Sequence, residues 1–287
     1  MLRNRPNGGY TLLLNTLQVV LQFMSKPLHW SAHFLLLSLT SPLWLIAAGP
    51  PMPPATPAAP SPPEWIKPAF DRGLVTVEFY DPEKQPRDFP GWTVFDSDLT
   101  YQFDYEFRFR EDRQKKYVVT LLPKFSKVEL AVRHRIQLPK HLDSPAVWEM
   151  WLAQHELEHV GIGAHRRASM LAEYLVRSIR RVERTANKPN DITRNWVQDA
   201  IREEISPRRE ALDQLIKANN RSLDKLTGHG SRSLGDRDAF YGQLYLKENL
   251  DEMKFPYLAE VLELLDDRDY LAARWEGPVG KNAQPVK

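Results

Sequence analysis

The segment HELEHVGIGAH, His155 to His165, holds three of the chain's eight histidines. Imidazole carries protons and transition metals near neutral pH. On a helix, His155 and His159 stand about 40° apart and project from one side, close enough to share a cation. Glu156 lies about 60° outside the arc they span, where it reaches a proton more readily than the ion. Two ligands and one base on a single turn are the mechanical content of the H-E-x-x-H pattern. This composition produces such a match by chance about 0.015 times per chain; the pattern is therefore informative, yet still compatible with a solvated helix turn. Against the solvated turn, both histidines share a line with Trp148, Leu152 and Ile162, the face expected to pack inward. Inward imidazoles need partners, and a common metal ion is the simplest one.

A third ligand has three candidates. His165 follows His159 by six residues, a spacing that resembles the metzincin ligand pattern. That pattern needs a glycine midway to break the helix, and here Ile162 stands midway between Gly161 and Gly163. On a continuous helix His165 points roughly 80–120° away, and a surface histidine beside Arg166 and Arg167 is the simpler reading. Glu203 and Glu204 could come from a second helix, although charged residues on a wet face explain them as well. His229, between Gly228 and Gly230, lies on a loop able to bring its backbone close to another element. Spacing alone leaves all three open.

The elements that must position these residues follow from periodicity. Tyr101, Phe103, Tyr105, Phe107 and Phe109 alternate with polar residues, as in a half-buried strand. Residues 127–138 repeat the pattern with Val128, Leu130, Val132, Ile136 and Leu138, on a face that also carries His134, a packed core histidine or a cleft residue. Shorter strands are expected at 74–80 and 116–122. Four strands with short links predict an antiparallel sheet. The period then changes: Ser144-Pro145 is a plausible helix start, with helical spacing to about Ala186. A second helical region runs from about Asp191 to Ala218, interrupted at Pro207. The glycines and serines of 219–235 read as loop. The fold class is α+β, the sheet packed on a helical half.

Residues 34–48, FLLLSLTSPLWLIAA, are uncharged and apolar over the length of a signal-peptide core. Residues 1–49 are therefore expected to be an export signal or an uncleaved membrane anchor, which places the protein in the periplasm or outside the cell. Residues 50–63 contain eight prolines, a stiff extended spacer. The folded domain spans 64–235, and 236–287 form a helical C-terminal tail. Six arginines between Arg166 and Arg184 read as a solvated face, or as a dock for the acidic stretch 260–269 or for anionic lipid. The chain has no cysteine, which excludes disulfides and thiolate ligands. Net charge is +2, and because Arg3, Arg5 and Lys26 are unopposed within the first 63 residues, the remainder is near neutral. Such a body gives no footprint for nucleic acid.

Several stretches occur in a telling order: GWTVFDSDLTYQFDY, VRHRIQLPKHL, WEMWLAQHELEH, and LDKLTGHG. Together, over about Val75 to Gly230, they resemble the bacterial family of predicted secreted zinc-dependent proteases, whose HExxH is followed downstream by YD-x-x-T-x-HG. The resemblance implies a zincin-like fold and one Zn2+ ion held by His155, His159 and His229. It makes Glu156 the base and Asp224 a residue orienting an imidazole. Leu223 replaces the family's tyrosine, and with it a possible oxyanion contact. The expected activity is hydrolysis of a peptide or protein substrate, with an extended substrate pairing to an exposed edge of the 127–138 strand. The alternative is a non-enzymatic envelope protein with a structural zinc site or a peptide-binding cleft.

Overall fold

The computed structural model describes residues 11–13, 61–64 and 66–273. The expected signal segment outside 11–13, most of the proline-rich spacer and residues 274–287 lie outside them. The strands are β1 (Thr11–Leu13), β2 (Val75–Tyr80), β3 (Trp92–Glu111), β4 (Tyr117–Pro139) and β5 (Val182–Ala186). The helices are α1 (Lys67–Asp71), α2 (Trp151–Gly163), α3 (Arg166–Arg177), α4 (Arg194–Thr227), α5 (Arg237–Gln243), α6 (Lys247–Glu252), α7 (Leu262–Leu265) and α8 (Arg268–Ala272). The chain is α+β, as expected.

One long hairpin organises the sheet. β3 and β4 pair antiparallel from Trp92↔Gln137 to Glu111↔Tyr117. Between them Asp112 closes the turn: its carboxylate accepts from the Gln114 and Lys116 N–H groups at 2.8 and 2.9 Å. Asparagine and aspartate favour turns for this reason. The two strands expected at 116–122 and 127–138 are one element. Pro123 does not break it, because β5 pairs only with Tyr117–Leu121 and β2 only with His134–Pro139. The missing N–H therefore falls where β4 has β3 as its one neighbour among the described residues.

The sheet is mixed rather than antiparallel, since β2 runs parallel to β4. β4 is flanked by β3 along one edge and, on the other, by β5 at Tyr117–Leu121 and by β2 at His134–Pro139. Of the edge expected at 127–138, residues 134–138 are taken by β2, while 127–133 have β3 as their one strand neighbour among the described residues. The outer side of β3 is open as well. Among the described residues only β1 pairs there, at Glu106 to Arg108.

The alternation in β3 holds. Leu99, Tyr101, Phe103, Tyr105 and Phe107 are buried against Leu171 and Leu175 of α3 and Ile201, Ile205 and Leu212 of α4 in the larger apolar core. A second cluster packs Ile136 and Leu138 of β4 on Ala153, Leu157 and Val160 of α2. His134 belongs to this interior as a core histidine; burial, then the charge of His159, lowers its pKa to about 3.

The helical half departs from expectation at its start, where α2 begins at Trp151 after a 3-10 turn at Val147–Glu149 rather than at Ser144-Pro145, and at three further places. First, helix does not run on to Ala186: α2 stops at Gly163, α3 follows, and 182–186 is strand β5. Gly163 passes so close to His134 that a Cβ would stand 2.5 Å from its Nε2, and His165 then caps α3 by accepting from the Arg167 N–H at 3.1 Å. Second, α4 continues through Pro207 and beyond Ala218 to Thr227, where Gly228 ends it in a left-handed conformation. Ser206 and Arg208 donate side-chain hydrogen bonds to the Arg202 and Glu204 carbonyls, both at 2.8 Å, supporting the ladder around the proline.

Third, residues 236–273 are built into the body. Tyr241, Tyr245, Leu250 and Tyr270 join the larger core. Arg167, expected on the surface, is buried and donates to the carbonyls of Gly242, Leu244, Tyr270 and Leu271 at 2.7–3.1 Å. The acidic stretch docks as well: Glu260 binds Ser178 and Arg208, and Glu263 accepts from Tyr174. Among the described residues, no helix is long and apolar enough to cross a membrane.

Candidate metal centre

α2 is buried nearly all round, polar residues included: His155, Glu156, Glu158 and His159 are 3%, 3%, 6% and 8% exposed. This excludes the solvated-turn reading. Buried polar groups need partners, and other elements supply them. Thr93 at the start of β3 donates to Glu156 Oε2 at 2.6 Å. Asn220 of α4 holds His159 Nδ1 at 2.7 Å through its Oδ1. Arg237 at the start of α5 pairs with Glu158, whose other oxygen lies 3.7 Å from His155 Nδ1. The Tyr241 hydroxyl donates to the Glu158 carbonyl at 2.6 Å.

The two histidines converge as their spacing requires. Their Nε2 atoms are 3.2 Å apart. Asp224, on the last turns of α4, brings Oδ1 to 3.4 Å from His155 Nε2 and 3.2 Å from His159 Nε2. The three donors form a triangle with edges of 3.2, 3.2 and 3.4 Å. Ligands about 2.0–2.1 Å from a tetrahedral zinc ion are separated from one another by about 3.3 Å. His155, His159 and Asp224 can therefore hold a metal ion, and they form the one group of three or more possible ligands found among the described residues.

Asp224 thus occupies the place the resemblance implied for His229, while His229 stands beside it. His229 Nδ1 is 3.6 Å from the same Asp224 oxygen, but the ring lies flat on Phe89, centroids 3.9 Å apart. Its backbone is left-handed, between two left-handed glycines, a conformation that costs a non-glycine residue about 1–2 kcal/mol. Gly230 is needed at this approach, since a Cβ there would lie 2.8 Å from the His155 ring. His165 is the fully buried cap of α3. Glu203 and Glu204 are engaged by Arg184 at 3.3 and 3.2 Å. His229 thus stands at the edge of the cluster, outside the donor triangle, while His165, Glu203 and Glu204 lie apart from it.

The electrostatics suit a cation. Burial would lower the His155 pKa, but Asp224, Glu158 and Glu156 hold it up to about 9. Burial would raise Asp224, yet the neighbouring histidines bring its carboxyl well below the usual range. Burial raises Glu156, partly offset by His159 and by the Thr93 hydrogen bond. A proton shared in such a nest is what a divalent ion displaces. The cluster opens into a cavity of about 190 Å³ lined also by Phe89, Gly91, Trp92, Thr93 and Asn220.

Sequence reasoning missed Gly91 and Thr93, although both lie in the GWTVFDSDLTYQFDY stretch. Gly91 passes so near the base that a Cβ would stand 2.1 Å from Glu156 Oε1. Comparison with protein-family models, with curated proteins and with solved structures found no match to this chain.

Proposed function

We propose that this chain is a zinc-dependent peptidase acting in the periplasm or outside the cell, with the ion held by His155, His159 and Asp224. The observation that carries the reading is the donor triangle with Glu156 beside it, a carboxylate outside the ligand set yet buried in the same cavity. An ion held there supplies Lewis acidity, lowering the pKa of water toward about 7 and polarising a carbonyl. Glu156, fixed by Thr93 on one oxygen, accepts the proton of the water whose oxygen bonds to the carbonyl carbon. It returns that proton to the amine nitrogen as the C–N bond breaks. His229 stands at the rim as a further donor. Asn220 fixes the ring of His159, and Glu158, held by Arg237, faces the outer nitrogen of His155.

Two histidines and one carboxylate also serve non-haem iron, and a structural zinc site would need no base. The buried Glu156 favours hydrolysis over both. The resemblance to the secreted zinc-protease family agrees, and the apolar N-terminal sequence supports export. The test is Glu156→Gln in the full chain, assayed on casein and by metal analysis. The expected result is one zinc per chain in both proteins, with hydrolysis lost in the variant. Equal casein digestion by the two would refute the mechanism.

A further inference from the structure

Among the described residues the exposed large aromatic side chains are Phe89, Trp92 and Trp151, at 37%, 48% and 41% exposure. Two of them line one opening, and the third is tied to the loop beside it. Phe89 and Trp92 line the cavity that holds the donor triangle, and Phe89 carries the His229 ring. Trp151 lies one helical turn before His155, and its indole N–H donates to the Gly230 carbonyl, where the backbone passes over His155. Large apolar faces left in water cost free energy, and clustered exposure of this kind marks a place where something binds.

We infer that this aromatic rim is a subsite for a large apolar side chain of an extended peptide. The inference names the substrate class of the proposed hydrolytic site and rests on that reading for its catalytic meaning. Two observations favour a peptide over a saccharide, the other ligand that stacks on exposed tryptophan. Reading sugar hydroxyls takes free carboxylates or amides beside the aromatic face. Here the polar lining, apart from the half-exposed His229 ring on Phe89, is turned inward. Thr93 binds Glu156, Asn220 Oδ1 meets His159, its Nδ2 donates to the Ile216 carbonyl at 2.9 Å, and Asp224 faces the histidines.

The second observation is the backbone beside the rim. Trp92 and Thr93 begin β3, and among the described residues no strand pairs with its outer side before Glu106. A peptide laid along that edge satisfies its own N–H and C=O groups there and places alternate side chains on one side. With Trp92 and Phe89 at the end of the edge, one such side chain meets the aromatic faces.

The test uses binding without turnover. The full-length Glu156→Gln protein, loaded with zinc, is titrated calorimetrically with acetylated, amidated pentapeptides that differ only in a central Phe, Leu, Ala or Glu, and with chitotetraose. The expected result is Phe and Leu peptides bound about tenfold or more tightly than Ala, the gain from burying one large apolar side chain. Trp92→Ala and Trp151→Ala should remove most of that gain with zinc content unchanged, and Trp92→Phe should restore it. Equal affinity across the peptides overturns the inference. So does a preference that survives both alanine variants, or chitotetraose binding that those variants abolish while no peptide binds. If the parent protein hydrolyses nothing but the preference holds, the proposed function falls and the subsite stands. Hydrolysis without preference gives the reverse.

Discussion

Replacing His165 with asparagine separates two roles the sequence allows this side chain, metal ligand and helix cap. The imidazole is fully buried, and its Nδ1 accepts from the N–H of Arg167, the second residue of α3. Asparagine is among the best residues for that contact, so the variant keeps the cap and loses the titratable group. Burial, followed by the positive charge of Arg167, lowers the His165 pKa from 6.5 to about 4. As pH falls through this window the unfolded chain takes up a proton that the folded chain refuses. The folded state therefore loses stability from about pH 6.5 downward, and the loss is complete near the folded pKa. The displacement from 6.5 to about 4 corresponds to about 3 kcal/mol.

The assay is urea unfolding followed by tryptophan fluorescence between about pH 7.5 and pH 4.5, with wild type and His165→Asn compared at each pH. Near neutrality the smaller side chain makes the variant about 1–2 kcal/mol less stable. Toward acid the gap closes and then reverses, because the contributions of His134 and the carboxylates are common to both proteins and cancel. Zinc content at neutral pH stays at that of wild type. Parallel stability profiles would refute the burial argument, and loss of zinc would make His165 a ligand after all.

Arg167→Met leaves the carbonyls of Gly242, Leu244, Tyr270 and Leu271 without their donor; a loss of at least about 3 kcal/mol in urea unfolding is expected, and a loss under 1 kcal/mol would count against the docked C-terminal segment. Free zinc at about 100 times its Kd should stabilise the wild-type chain by about 2.7 kcal/mol, roughly 5–10 °C in Tm for a body of this size. Asp224→Ala should abolish that shift and His229→Ala only reduce it; the opposite order would return His229 to the ligand triangle. Gly91→Ala drives a methyl group into Glu156 Oε1, so hydrolysis should fall about a hundredfold while metal analysis still finds one zinc.

What was legible in the sequence was local. The 40° relation of His155 to His159 depends on one helical turn, and the alternation of β3 on the pleat of one strand, so both could be read without knowing a partner. Asp224 could not be assigned in that way. Its role depends on α4 running to Thr227, whereas the residues after Ala218, rich in Asn, Ser and Gly, carry weak helix propensity. Burial of Leu223 and Thr227 against the body overrides that propensity. The same limit hid Arg167 and His165: HRR reads as a charged surface, and only residues 75–104 positions further along turn Arg167 into a buried clamp. The parallel pairing of β2 was hidden too, because the sheet closes through a strand far from it in sequence.

The polar content of α2 bears on the choice between a structural and a reactive site. Four polar residues in five positions lie buried on this helix, each held by an element distant in the chain: β3 through Thr93, α4 through Asn220 and Asp224, α5 through Arg237. Apolar residues of similar volume in such a place are often as stabilising or more so. A helix that exists only to fill the core therefore gains little from them. A structural ion would account for His155, His159 and Asp224, but not for a carboxylate that ligates nothing and is held by a hydroxyl at 2.6 Å with glycine cleared from its other side. Desolvating Glu156 costs stability and makes it a stronger base than a solvated carboxylate. That trade is the one expected of a group kept to move a proton.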